Sequence, residues 1–391
     1  MYTYDELFDQ RSVVAARLEG ILNERQITKT QLCKETGVSR PTIDKVLSGA
    51  ISSKANFDKH LRKILEYLQL TPDMLMGISA VRSNQIRRFR NLLRKKIEDF
   101  ASATGIDVER LKAIEAGEEA TPAELRDIAL SLYTGTRCIM GDWFFEPQIA
   151  TLNDFLLEDN EVFNSCGYWG HIGILPAGTN EHIWFPITES VHRQIYQQIY
   201  RMKRIVVPCM NNKVLLLNLD NIKQVLFLDD ACDEPGFTNW DSSVDCGNYP
   251  LVIYEALEDF LFDEAEAGVE QMSAAFREVM ERIAAEEGWN EESVMEKQQT
   301  IVWYRDGKKS YTSMISDGDS SLISEIETLY EFEDDQFSED YLEYDEECGA
   351  EILINMKEVS LVELPLVQVE EAICHSRETD NDLLNEESKD D

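Results

Sequence analysis

The stretch Thr28-Lys-Thr-Gln-Leu-Cys-Lys-Glu-Thr-Gly37-Val-Ser-Arg-Pro-Thr-Ile-Asp-Lys-Val-Leu-Ser-Gly49 reads as two short helices joined by a tight turn. Thr28 suits an N-cap, because its hydroxyl can accept from a free N–H of the first turn. Leu32 and the small Cys33 fall on the inward face. Gly37 suits a left-handed helix end. Val38 then plugs the space between the helices. Ser39 is placed to cap the next helix, and Pro41 sits in its first turn, where no N–H is missed. Ile43, Val46 and Leu47 face a core, and Gly49 ends the helix. Upstream, Val14, Leu18, Ile21 and Leu22 recur at helical spacing. Downstream, Phe57, Leu61, Ile64, Leu65 and Leu68 supply a further amphipathic helix that closes the bundle.

A second helix that opens with polar and basic residues is the geometry by which proteins lay a helix in the major groove of DNA. Over about residues 13–77 the pattern resembles the phage-repressor-type, lambda-repressor-like (Cro-type) helix-turn-helix regulators. Small residue, turn glycine, apolar plug, cap and closing glycine all fall in order. The resemblance implies double-stranded DNA as partner. It implies base contacts from Ser39, Arg40, Thr42, Lys45 and Asp44, with Arg40 suited to bidentate contact with guanine. It places Thr28, Lys29 and Thr30 at phosphates, which position the protein without specifying sequence.

The same spacing returns further on. Gly105 and Gly117 repeat Gly37 and Gly49, and Phe100, Ala101, Ile106, Leu111 and Ile114 fall where Leu32, Cys33, Val38, Ile43 and Val46 fell. Phe89, Leu92 and Leu93 are expected to form the first helix of this degenerate copy. Its reading segment opens Asp107-Val-Glu-Arg110, whose carboxylates would face phosphate. Its first helix instead gathers Arg87, Arg88, Arg90, Arg94, Lys95 and Lys96. Two readings stand side by side: this basic helix grips the DNA backbone, or the copy is a packing unit whose arginines meet the acidic remainder of the chain.

Charge divides along the chain. The net formal charge is −38, yet residues 1–140 hold 22 Lys+Arg against 19 Asp+Glu, leaving 15 against 56 for the rest. Only the N-terminal part can approach phosphate favourably. From about residue 142 the pattern turns mixed. Arg204–Pro208, Lys213–Asn218 and Ile222–Leu228 read as strands, with Asn218–Asn221 as the turn of a hairpin. A long helix is expected from about Tyr254 to Glu287. Strands follow at Thr300–Tyr304 and Lys309–Thr312, then a short helix at Ser320–Tyr330. A second hairpin is expected at Glu351–Asn355 and Val359–Leu364. Leu217-Asn218-x-x-x-Ile222 parallels Ile354-Asn355-x-x-x-Val359, which suggests two related α+β units.

The expected fold is therefore multidomain. Tandem all-α lambda-repressor-like helix-turn-helix domains span 1–78 and 79–141, the second degenerate. A larger acidic α+β part spans 142–376, for oligomerisation, sensing or partner binding, and a disordered acidic tail spans 377–391. No secretory leader and no membrane-spanning apolar run is read, and the eight scattered cysteines suit the reduced core of a cytoplasmic protein. No C-x-x-C pair exists, and Cys374-His375 stands alone, so neither metal nor cofactor is expected. The acidic runs 331–335 and 339–347 lack the glycine and alternating ligands of a calcium loop. Trp143, Trp169, Trp184 and Trp240 read as core rather than as a ligand pocket.

Enzyme motifs are absent: no H-E-x-x-H, G-x-S-x-G, G-x-G-x-x-G or phosphate-binding loop. Several phage-type repressors carry a self-cleaving serine–lysine domain, and Gly318-Asp-Ser320 resembles the start of its nucleophile motif. Lys357 would be the base, and Ala177-Gly178 or Ala267-Gly268 the scissile bond. Ser320 reads better as a helix cap and Lys357 as a solvated turn residue. The expected function is a sequence-specific, homodimeric transcriptional regulator, with a protein partner or small-molecule effector at the C-terminal part. The alternative is an antitoxin-like or anti-defence interaction protein whose acidic part binds a basic partner.

Overall fold

The computed structural model describes residues 4–24, 27–51, 53–68, 70, 72–75, 84–150, 166–229, 238–240, 249–261, 272–312, 321–332, 340–345 and 351–387. Contacts divide the chain into two units, residues 1–88 with 96–121, and residues 89–95 with 122–391.

The first unit is helical: α1 (Tyr4–Asp9), α2 (Arg11–Glu24), α3 (Lys29–Thr36), α4 (Arg40–Leu47), α5 (Lys54–Leu68) and α6 (Pro72–Leu75). The apolar positions that recur at helical spacing meet in one core, with Val14, Leu18, Leu32, Ile43, Val46, Phe57, Leu61 and Ile64 fully buried. Ile21 and Cys33 are only partly buried. α1 was not expected. It is held by Leu7, fully buried, and by Phe8, whose ring stands edge-on to Phe57 at 5.4 Å. Next come α7 (Ile86–Leu92), α8 (Ile97–Thr104), α9 (Val108–Glu115), α10 (Pro122–Ser131) and α11 (Thr136–Met140). The unit boundary runs through this second helical set, leaving α8 and α9 in the first unit and α10 and α11 in the second.

The second unit is α+β. Its strands are β1 (Tyr168–Pro176), β2 (Ile183–Thr188), β3 (Arg204–Cys209), β4 (Lys213–Asn218), β5 (Ile222–Asp229), β6 (Thr300–Tyr304), β7 (Lys309–Thr312), β8 (Tyr341–Asp345), β9 (Glu351–Asn355) and β10 (Val359–Pro365). Its further helices are α12 (Glu189–Gln198), α13 (Leu251–Glu255), α14 (Leu257–Leu261), α15 (Ala274–Glu287), α16 (Glu291–Lys297), α17 (Ser321–Phe332) and α18 (Leu366–Glu387). The sheets run β2-β1-β5, β3-β4-β10-β6-β7 and β8-β9. Every residue of β3 and of β10 is buried.

Four expectations are corrected here. β4 and β5 do not form a hairpin: β4 pairs with β3 and β10, and β5 with β1. Likewise β9 pairs with β8, and β10 with β4 and β6. Each Asn-x-x-x link is a single turn of 3₁₀ helix that hands the chain from one sheet to another. The helix expected over Tyr254–Glu287 does not run through. α13 ends at Glu255 with Ala256 as its C-cap, and α15 starts afresh where the Ser273 hydroxyl accepts from the Phe276 N–H at 3.0 Å. At the other end, α18 continues to Glu387, past the expected order limit at Ser376. Arg377 anchors it through Glu327 at 2.5 Å and Glu331 at 2.6 Å.

Helices α11, α13 and α18 meet on buried carboxylates. Glu255, ending α13, accepts from the Thr136 N–H at 2.8 Å and its Oγ1 at 2.7 Å. Glu370 on α18 is 3 % exposed. Burial, and then the nearby Glu255, push its carboxyl from 4.5 up to about 8. A carboxyl kept neutral in the fold but ionised in the unfolded chain stabilises fully below its unfolded pKa. It loses that contribution as pH rises to the folded value. This group is expected to lower stability by up to about 1.4 kcal/mol per pH unit between its two pKa values. Glu370→Gln should flatten that slope. Thermal melts from about pH 5 to 8 check it, and parallel profiles for the two proteins would refute it.

Candidate nucleic-acid interface

The turn between α3 and α4 is fixed by local bonds. Thr28 takes an extended backbone, and its Oγ1 accepts from the Gln31 N–H at 3.2 Å, as its cap position requires. Gly37 lies at φ 64°, and its N–H closes the helix on the Cys33 carbonyl at 3.1 Å. That φ, rather than lack of room, demands glycine, since a Cβ there would meet nothing within 4 Å. Sequence reading missed Thr36. Its buried hydroxyl donates to the Leu32 carbonyl at 2.6 Å and accepts from the Val38 N–H at 3.2 Å, stitching the turn to α3. The signal was present: Thr104 precedes Gly105 as Thr36 precedes Gly37.

α4 turns Ile43, Val46 and Leu47 inward. Its outer face carries Ser39, Arg40, Asp44 and Lys45, all exposed, with Thr42 half-buried. Ser39 occupies the N-cap position, but its hydroxyl bonds the Thr42 Oγ1 at 2.9 Å instead of a backbone N–H, which corrects the expected side-chain cap. Lys29 Nζ lies 3.1 Å from Asp44 Oδ1. That ion pair ties the first turn of α3 to the outer face of α4, so Lys29 shares one surface with the α4 residues, and Thr28 and Thr30 beside it are exposed. It also neutralises Asp44, the one acid on that surface among these residues. The Arg40 and Lys45 side chains make no ion pair among the described residues. Two free cations on an exposed helix, beside a helix N-terminus, suit base edges and phosphate.

The same local geometry recurs in α8 and α9. Both are eight residues long, like α3 and α4, and Gly105 ends α8 at φ 70°. Thr104 repeats the bonds of Thr36, donating to the Phe100 carbonyl at 3.0 Å and accepting from the Ile106 N–H at 3.3 Å. The exposed chemistry differs. Arg110 is bonded by Glu118, and Lys112 by Glu109 at 2.7 Å, so the cations of α9 are already matched. The expected basic helix is shorter than read: α7 stops at Leu92, and Arg94 bends the chain at φ 52°. Arg88 and Arg94 are exposed, whereas Arg87 and Arg90 are half-buried. Arg90 donates to the Lys95 carbonyl at 3.0 Å. Lys95 lies over the Tyr133 ring at 4.5 Å and bonds the Ser131 carbonyl, and burial lowers its pKa. Part of this basic cluster is therefore engaged in packing.

Other candidates do not assemble. Lys357 is exposed and paired with Asp340. Gly178 is packed against Gly307, and Ser320 and Ala267-Gly268 lie outside the described residues. Trp169 stacks on His192 at 3.9 Å, while Trp184 is buried and lies edge-on to Trp240 at 5.1 Å. Among the described residues no group of three or more His, Cys, Asp or Glu could hold a metal, and no helix is long and apolar enough to cross a membrane.

No curated protein and no solved structure matches the chain. Residues 17–80 match the family model of the Cro/C1-type HTH DNA-binding domain, and this N-terminal part of the chain is a phage-repressor-type helix-turn-helix domain.

Proposed function

We propose that the protein is a sequence-specific DNA-binding transcriptional regulator that acts as a homodimer. The observation that carries this reading is the pairing of an exposed α4 face, with Arg40 and Lys45 unmatched, to an α3 start that can meet phosphate. α4 reads bases, with Arg40 on guanine. Thr28, Lys29 and Thr30 hold the backbone. The α8–α9 set is a second, degenerate helix-turn-helix copy with a supporting role, and Arg88 and Arg94 add phosphate contacts. The acidic α+β part brings two chains together or senses a partner. One such module buries little surface on DNA and binds weakly alone, so a dimer on two half-sites is the expected working form.

Selection from random duplex DNA with the full chain at moderate salt tests this. The expected result is an enriched palindromic motif with half-sites about one helical turn apart. Failure to enrich any motif would overturn the regulator and favour an interaction protein.

A further inference from the structure

The α+β unit contains one fold twice. Residues 168–229 run β1-β2-α12-β3-β4-3₁₀-β5, and residues 300–365 run β6-β7-α17-β8-β9-3₁₀-β10. The copies share two backbone bonds at their corners. The Leu219 N–H donates to the Lys203 carbonyl at 2.8 Å, and the Met356 N–H to the Asp340 carbonyl at 2.9 Å. The Ala177 N–H donates to the Asn221 carbonyl at 2.9 Å, and the Arg305 N–H to the Glu358 carbonyl at 2.8 Å. β5 on β1 and β10 on β6 skip one residue at the same place, Lys223 and Ser360. These matches make β4 the counterpart of β9, and β10 the counterpart of β5.

Among the described residues one strand pairing joins the two copies. β4 of the first lies along β10 of the second, from Leu361 opposite Leu217 to Pro365 opposite Lys213. α17 packs over β3 and is locked there by the buried Arg204–Glu325 pair at 2.8 Å. The equivalent joint, β9 along β5, is not made: among the described residues β5 pairs only with β1, and β9 only with β8. Both edges carry apolar side chains in partial contact with water. Val225, Leu226 and Phe227 of β5 are half-buried, and Leu353 of β9 is 63 % exposed. Beside β5, α12 and β1 add Tyr196, 55 % exposed, and the Trp169–His192 stack. Unpaired apolar edges invite strand addition.

We propose that β9 of a second copy of this chain pairs with β5, and β5 of that copy with β9, in a two-fold dimer. The chain itself supplies the template. Carrying the β4–β10 register across places Gln224 opposite Ile354, Val225 opposite Leu353 and Leu226 opposite Ile352. A two-fold axis makes both joints at once, so the interface is self-complementary and closes. This deepens the dimer reading above. Its test uses no DNA, so its failure would leave DNA recognition by α4 untouched.

The experiment mixes two single variants of the full chain, Val225→Cys and Leu353→Cys, under mild oxidation. The parent protein serves as control for its own cysteines, and circular dichroism confirms the fold of each. The expected result is a covalent dimer only in the mixture, with a 225–353 junction peptide found by mass spectrometry, and a parent of twice the chain mass in light scattering. Three results would each overturn the proposal: a parent of single-chain mass, a dimer that yields no such junction, or a 225–353 bond formed only inside one chain when both substitutions share it.

Discussion

Arg40→Ala combined with Lys45→Ala is expected to weaken binding to a selected DNA site by about 30-fold to 10⁴-fold, with no change in fold. Each bidentate or charge-assisted base contact contributes about 1–3 kcal/mol of discrimination, and the two side chains are separate enough to be near additive. Both are exposed and outside the core built by Ile43, Val46 and Leu47, so their truncation leaves the domain folded. The two losses are separable. Without Arg40, preference at one base pair should relax. If Lys45 meets phosphate, its loss should weaken all sequences alike and reduce the salt dependence by about one charge. Lys112→Ala on α9 is the matched comparison. Its ammonium is held by Glu109 at 2.7 Å, so its removal should change affinity little. Gel-shift titration of the double variant against the selected site decides the matter: unchanged affinity would show that α4 is not the reading helix.

This helix-turn-helix was legible in sequence because its determinants are local. A cap at Thr28, a left-handed glycine at Gly37, a proline at Pro41 and apolar spacing along α4 each act within a few residues of themselves, and each is found in place. The α+β unit was legible only in pieces. Strands β3, β4, β5, β6, β9 and β10 were marked by apolar runs bounded by turn residues, and β7 by its place after β6 and the Asp306-Gly307 turn. Their partners were not, because pairing is chosen by contacts far apart in sequence. Asn218 and Asn221 read as an ordinary hairpin turn. In the fold, Asn218 Nδ2 donates to the Met356 carbonyl at 2.6 Å and the Val359 carbonyl at 3.1 Å, and Asn221 Nδ2 to the Lys357 carbonyl at 3.0 Å. Those bonds fix a change of sheet, and nothing near residue 220 announces residue 357. β1 was missed because His171, Gly170 and Gly173 interrupt its apolar run, although Gly173 leaves the space that the Trp184 ring fills. β8 was missed because Tyr341-Leu-Glu-Tyr-Asp345 lies within an acidic run that reads as solvated surface.

The place where the two α+β copies touch sets the second large effect. Gly178→Ala is expected to destabilise the α+β unit by about 3 kcal/mol or more, a size confined to severe steric or packing faults. A Cβ on Gly178 would stand 1.9 Å from the Gly307 nitrogen and 2.2 Å from the Asp306 carbonyl carbon. Both are backbone atoms, so no side-chain rotation can make room. Gly307 is constrained in turn, at φ 85° with its own Cβ position 2.5 Å from the Gly178 oxygen. The β1–β2 and β6–β7 tips would have to separate. Each tip is bonded to a corner, through the Ala177 and Arg305 N–H groups, and the two corners are bonded to each other by Asn218 and Asn221. Separation therefore strains the corners as well as the tips. Gly20→Ala is the fitting control. That glycine lies inside α2 with nothing within 4 Å of a Cβ, so alanine should be neutral or stabilise by up to about 1 kcal/mol. Thermal melts of the full chain compare the two. A Gly178→Ala midpoint lowered by about 6 °C or more is expected, and a melt matching the parent would mean that the tips are free to part and that the two copies are not locked there.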